Sequence, residues 1–222
     1  MIGPLVISLI SIGKGKEAKL AKVGVRDSKL LSRKKREFLY DEITSIAEEI
    51  RVYRISNTEI NKAMAGGVSL NSIEALNFAR LIDALTKNPK EIYLDSPDVV
   101  EHKFGIRVCL FSKRSLIINN SGGYSNPVEG DRQEIKLISE HKADARYPVV
   151  SAASIIAKVT RDAEMDRISE DLGIDLGSGY PSDAKTIRAI KENLKEKSVM
   201  AYIRDRWKTI ELVKQAKIDE FI

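Results

Sequence analysis

Cysteine is almost absent. The single Cys109 leaves no internal disulfide and no thiolate set for a zinc site. Histidine is nearly as scarce, and with only His102 and His141 a His-rich metal centre is excluded as well. No apolar run reaches the roughly eighteen residues of a membrane span. The start shows neither a basic stretch ahead of its apolar run nor a clear cleavage site, so a cytoplasmic protein is expected. A nucleotide-binding loop is missing too: Gly13-Lys14-Gly15-Lys16 is too short and wrongly spaced for one. There are no internal repeats. The composition that remains is that of an ordinary globular protein, 43% hydrophobic, in 222 residues that suit one domain with at most a small appendage. The formal net charge of +5 suits a polyanionic partner without requiring one.

Read in order, strands alternate with helices. Met1 to Ile10 reads as a buried strand already under way and Gly13 to Lys16 as a turn. Ser32 caps a helix with Leu39, Ile43, Ile46 and Ile50 at helical spacing. The cluster Arg33-Lys34-Lys35-Arg36 in its first turn opposes the helix dipole, and serves either a partner or a solvated face. Arg51 to Ile55 alternates as a strand, and Asn57 to Met64 is a short helix ended by Gly66-Gly67. Ser69 caps a helix whose stripe is Phe78, Leu81, Ile82 and Leu85. Glu91 to Asp95 and Ile106 to Phe111 read as strands, Ser112 to Gly130 as an irregular excursion, and Ile135 to Ser139 as a further strand. Asp183 caps a helix over Lys185 to Lys195, and Arg204 to Ile222 reads as an amphipathic helix around Trp207, Ile210 and Val213. About five strands alternating with helices argue α/β.

One stretch organises the rest. His141-Lys142-Ala143-Asp144-Ala145-Arg146-Tyr147-Pro148 is charged and leads into a run, Val149 to Asp162, dominated by small and β-branched residues. Pro148 suits a first helical turn, where its missing N–H is no loss. Val149, Ala152, Ala153, Ile156 and Ala157 share one helical face. The small residues Ser151, Ala152, Ala153, Ser154 and Ala157 permit close approach to a neighbour. Asp144 therefore stands at the entrance of a buried helix, as a cap or as a functional carboxylate. Asp95 ends its strand where open α/β sheets place their sites, and Ser96-Pro97 breaks the strand at once. Two carboxylates at element ends suit Mg²⁺ or Mn²⁺, which take oxygen ligands. A pair of such ions clamps attacking and leaving oxygens in phosphodiester hydrolysis, and basic residues hold the backbone.

His141-Lys142-Ala143-Asp144 with Pro148-Val149-Val150-Ser151-Ala152-Ala153-Ser154-Ile155 resembles the signature of type 2 ribonuclease H, the ribonuclease HII family, in its archaeal form. Gly177-Ser178-Gly179-Tyr180-Pro181-Ser182-Asp183 resembles a second family motif, Asp27-Ser28-Lys29 a third and Tyr93-Leu94-Asp95 a fourth, in the family's order. The resemblance implies an RNase H-like α/β fold, a mixed five-stranded sheet flanked by helices. It implies a catalytic domain over residues 1–172 and a helical C-terminal region over 173–222. It implies endonucleolytic cutting of the RNA strand of RNA–DNA hybrids, and of single ribonucleotides embedded in DNA, by a monomer that leaves 5′-phosphate and 3′-hydroxyl ends. Asp95 and Asp144 match the third and fourth of four metal-binding carboxylates. Tyr180 matches the tyrosine that stacks near the RNA-to-DNA junction. Lys29, Ser28 and Lys142 are expected beside the substrate.

The family begins with a strand ending Gly-Ile-Asp-Glu-Ala-Gly-Arg-Gly, and Ile2-Gly3-Pro4 matches the residues just after that strand. The first two carboxylates and the loop that reads the 2′-hydroxyl are not in this sequence. Loss of a central strand leaves its neighbours with unpaired backbone groups, at about 1–3 kcal/mol for each one buried. Two readings are open. In one, Met1 is an internal methionine and an upstream segment of about a dozen residues supplies the strand. In the other, a short chain binds hybrids without cutting them.

Overall fold

The computed structural model describes residues 1–25, 31–118, 123–129, 133–207 and 210–211. Contacts divide the chain into two compact units. One comprises Ile7–Tyr53 and Leu70–Val159, the other Met1–Val6, Arg54–Ser69 and Thr160–Ile222. Strands β1 (Leu5–Ser11) and β2 (Glu49–Ile55) form a two-stranded sheet, with helices α1 (Glu17–Lys22) and α2 (Arg33–Ile46) between them in sequence. As expected, Ser32 is the N-cap of α2 and its hydroxyl accepts the Lys35 N–H. In the basic first turn, Arg33 pairs with Glu37 at 3.0 Å and Lys35 lies over the Phe38 ring.

After α3 (Asn57–Ala65) and α4 (Leu70–Asp83), strand β3 (Glu91–Asp95) opens a second sheet. Helix α5 (Glu101–Phe111), β4 (Leu116–Ile118), β5 (Tyr124–Asn126) and β6 (Ile135–Glu140) come next. The sheet order is β3-β6-β4-β5. It is mixed: β6 is parallel to both β3 and β4, and β5 is antiparallel to β4. Because β3 and β6 run the same way, with Asp95 level with Glu140, both deliver the chain to one edge of the sheet.

Two expectations are corrected here. Ile106 to Phe111 is helix, not strand. The buried residues Phe104, Gly105, Val108 and Cys109 lie one turn apart on a single face. Six mostly apolar residues taken alone do not separate the two periods. The polar stretch after it is not wholly irregular, since it forms the β4–β5 pair.

Gly105 shows why α5 needs a glycine against the sheet. A Cβ there would stand 2.9 Å from the Ser139 Cβ and 3.2 Å from the Ile118 Cδ1. Gly105→Val is expected to destabilise the protein by about 1–3 kcal/mol, the usual cost of overpacking, although valine is the better helix former. Denaturant unfolding checks this; a midpoint at or above that of the parent would refute it.

Helix α6 (Ala143–Arg146) is a single turn, and α7 (Pro148–Leu172) is one unbroken helix. Tyr147 between them is extended, as a residue before proline should be. The small-residue face of α7 sits against β1 closely enough for the Ser8 hydroxyl to donate to the Ala153 carbonyl at 2.5 Å. Ala152, Ile155 and Ile156 are buried there with Ile10, Leu20, Leu39 and Ile43.

In the second unit, Ile2 bridges Ile203 antiparallel, and the Asn57 side chain donates to the Gly3 carbonyl at 3.1 Å. Ile168, Leu176, Ile190 and Val199 form its core, with α8 (Ala184–Glu192) and α9 (Lys197–Met200) following α7. The expected helix from Arg204 does not begin there. Residues 204–207 are loop and turn, because the Arg204 N–H bonds the Met1 carbonyl and its buried Nε donates to the Gly3 carbonyl at 3.0 Å. Glu211 is helical, and residues 212–222 lie outside the described residues. Among the described residues no helix is long and apolar enough to cross a membrane.

Candidate active site

The parallel pairing of β3 and β6 brings two of the expected residues together. Asp95 is the last residue of β3 and is exposed. Asp144 lies in α6, just beyond β6, and is only 5% exposed. Asp95 Oδ1 accepts the Ala143 N–H at 3.1 Å, which ties the end of one strand to the residue preceding the other carboxylate. Lys142, exposed at the start of α6, is left-handed with φ +54°, and among the described residues no other non-glycine residue has positive φ. A conformation of this kind is unfavourable for a lysine and is held by its surroundings.

Those surroundings are a polar knot between the loops after β3 and β6. His141 Nε2 makes a 2.5 Å hydrogen bond with the Asp98 carbonyl, and the His141 N–H donates to Glu101 at 3.0 Å. The Ser96 and Ser139 hydroxyls both donate to the Glu101 carbonyl, at 3.1 and 2.8 Å. Buried Asp98 is held by the Asn71 amide and the Arg107 guanidinium. Sequence reading missed Asp98, Glu101 and Arg107. Their only local signal was an acidic residue soon after a strand-breaking Ser-Pro. Beside the site, the Tyr93 and Tyr147 rings pack with centroids 4.4 Å apart. The hydrogen bond to Glu91 pushes the Tyr93 hydroxyl up to about 12.

Among the described residues no group of three or more His, Cys, Asp or Glu is gathered to hold a metal ion. Asp95 and Asp144 nonetheless fit a hard divalent cation, because Mg²⁺ is commonly held by one or two carboxylates with waters and substrate phosphates completing its shell. Ser28 and Lys29 lie outside the described residues.

Tyr180 belongs to the other unit, on a loop held from three sides. Asp183 accepts the Ser178 N–H and hydroxyl, each at 2.7 Å, and caps α8. The Thr186 hydroxyl accepts the Gly179 N–H at 2.9 Å and donates to the Leu176 carbonyl at 2.8 Å. Arg161 approaches from α7. The Ser178 N–H first, then its hydroxyl, the Lys185 N–H and the Thr186 hydroxyl hold the Asp183 carboxyl down to about 2. An unfolded aspartate titrates at about 3.9. The folded value is the lower, so this stabilisation is complete above roughly pH 4 and is lost as pH falls toward 2. Asp183→Asn is expected to reduce the loss of thermal stability across that window. An unchanged acid limb would contradict it.

A sequence model of the ribonuclease HII family matches residues 1–210. The chain belongs to the ribonuclease HII family. Ribonuclease HII of Thermococcus sibiricus and that of Pyrococcus furiosus are each 36% identical over 216 residues, covering 97% of this chain and 86% of the relative. The crystal structure of the ribonuclease H2 from Pyrococcus horikoshii matches with TM-score 0.78 at 33% identity, covering 98% of this chain and 92% of that one. The RNase HII of Archaeoglobus fulgidus, solved in a complex with PCNA, matches with TM-score 0.78 at 35% identity over 99% and 94% of the two chains. A Bst-RNase HIII in complex with Mn²⁺, at 19% identity and TM-score 0.73, shares the fold. The expected α/β, RNase H-like fold is therefore established, and with it membership of a ribonuclease family of hydrolases that act as endonucleases.

Proposed function

We propose that this chain hydrolyses the RNA strand of RNA–DNA hybrids, including single ribonucleotides within DNA, with Asp95 and Asp144 as ligands for Mg²⁺ or Mn²⁺, two ions in the substrate complex. The observation that carries this reading is the convergence of the two carboxylates at one sheet edge, with Asp95 bonded to the Ala143 N–H. Bound divalent cations would make an attacking water acidic and stabilise charge on the phosphoryl group. The water oxygen adds to phosphorus and the P–O3′ bond breaks, which leaves 5′-phosphate and 3′-hydroxyl ends. Lys142, and Ser28 and Lys29 by their motif, would contact the substrate backbone. Tyr180 would stack on the sugar at the RNA-to-DNA junction, where the 2′-hydroxyl is what marks a ribonucleotide. The protein would act as a monomer in the cytoplasm.

The test is incubation with a labelled hybrid and with a duplex holding one ribonucleotide, in Mg²⁺ and in Mn²⁺. Metal-dependent cuts with the stated ends support the reading. A second reading, binding without cutting, is favoured because among the described residues no group of three or more His, Cys, Asp or Glu is gathered to hold a metal ion. It predicts salt-dependent hybrid affinity with no turnover in either metal.

The chain closes with Gln215-Ala216-Lys217-Ile218-Asp219-Glu220-Phe221-Ile222, where Ile218, Phe221 and Ile222 stand at the i, i+3 and i+4 spacing of a groove-binding anchor. With the PCNA complex of the Archaeoglobus fulgidus relative, this supports binding of a PCNA-type ring through that segment. Removing Ile218, Phe221 and Ile222 together should abolish capture by PCNA and leave hybrid binding intact.

A further inference from the structure

Arg161 is a cation 5% exposed in the unit that carries Tyr180. Its Nη1 donates to the Ser178 carbonyl at 2.7 Å and its Nη2 to the Ile2 carbonyl at 3.3 Å. Its Cζ lies 4.0 Å from the centroid of the Tyr180 ring. Burial lowers the guanidinium's pKa, and Tyr180 and Asp162 work in the opposite direction. The space it fills is specific. Gly179 has φ +76°, and a Cβ there would meet Arg161 Nη2 and the Ile2 carbonyl, each at 2.7 Å. Only a planar, weakly hydrated cation can donate sideways to two carbonyls while stacking on a ring; a lysine ammonium is a compact, strongly hydrated point charge. Pro181 restricts the backbone on the other side of the tyrosine.

We propose that Arg161 is a positioning residue for substrate: the guanidinium occupies one face of the Tyr180 ring and locks its loop, so that the opposite face is a fixed platform for a nucleotide of the hybrid. This rests on the reading of Tyr180 as the stacking residue. An unsupported tyrosine loses rotamer freedom when a nucleotide binds, and a ring already held does not. The guanidinium also draws on the π-electrons of the face it covers. Arg161 therefore sets affinity at the junction without touching the nucleic acid.

The test is a double-mutant cycle on binding of a fluorescein-labelled hybrid with one RNA-to-DNA junction, measured by anisotropy in Ca²⁺. Tyr180→Ala should weaken binding about 5- to 150-fold, the range for loss of one stacking contact. R161K and R161Q should each weaken binding about 3- to 10-fold, part of that stacking contact, in the parent chain. Neither should weaken it further in the Tyr180→Ala background. Equal losses in both backgrounds, or parent-like affinity of the Arg161 variants beside a weak Tyr180→Ala, would overturn the proposal and leave the reading of Tyr180 intact. Parent-like affinity of Tyr180→Ala would overturn both. Should the Arg161 variants fail to fold, the parent chain labelled with ¹⁵N-arginine gives the same decision. The hybrid should shift the Arg161 guanidinium resonance in the parent and not in Y180L, and a shift of equal size in both refutes the coupling.

Discussion

Asp144→Asn is expected to abolish metal-dependent hybrid cleavage and to leave hybrid affinity within about threefold of the parent, since backbone contacts dominate such affinity. The loss should exceed about 100-fold. Altering the outer partners of a metal ligand alone costs about 10- to 100-fold, and this change removes the ligand's charge. The substitution keeps the shape of the side chain, and that makes it diagnostic. Asp144 is 5% exposed, and asparagine fills the same volume there without leaving a cavity. The variant should therefore unfold no more easily than the parent while failing to cut. A gel assay in Mg²⁺ and Mn²⁺ beside a thermal melt checks both halves. Parent-like cleavage would remove Asp144 from the mechanism. Loss of cleavage together with a much lower melting temperature would mean that the residue is structural.

Phe104→Ala should cost about 3–5 kcal/mol, the range for truncating a fully buried aromatic side chain. Phe104 is 0% exposed on α5 and meets Phe78 of α4 edge-on, with ring centroids 6.0 Å apart at 85°. Ala75 and Ala79, both fully buried, bring α4 close enough for that contact. The small residues cannot expand into the space left by the ring, so the cavity persists. For a chain of this size the loss corresponds to about 6–20 °C in melting temperature. Phe104→Leu should recover part of it. A shift below about 2 °C for the alanine variant would show that the site collapses around the change.

These two residues mark the two sides of legibility in a sequence. Asp144 was legible because its neighbours carry chemistry in order: His141, Lys142, the acidic residue, then Pro148 at the first turn of a small-residue helix. Asp95 was legible because a strand ends on it and Ser96-Pro97 forbids continuation. Caps were legible for the same local reason, and Ser32 and Asp183 each accept an N–H of the helix they start. Phe104 was not recognised as core. The strand assigned over Ile106 to Phe111 separated it from the helix it belongs to.

By itself, then, the sequence determined the family, much of the alternation of strands and helices, and the placement of Asp95 and Asp144 at the ends of elements, because these depend on residue type and near-neighbour spacing. Tertiary structure alone decided the rest. How closely α5 packs on the sheet depends on Gly105 fitting against Ser139 of a strand distant in sequence. That residues 204–207 are not helical depends on hydrogen bonds to Met1 and Gly3. The knot that joins Asp98 to His141, and the guanidinium of Arg161 bonded to Ser178 against Tyr180, join segments from 17 to 43 residues apart. No local pattern encodes such partners, because the free energy that selects them is released only when the chain has closed around them.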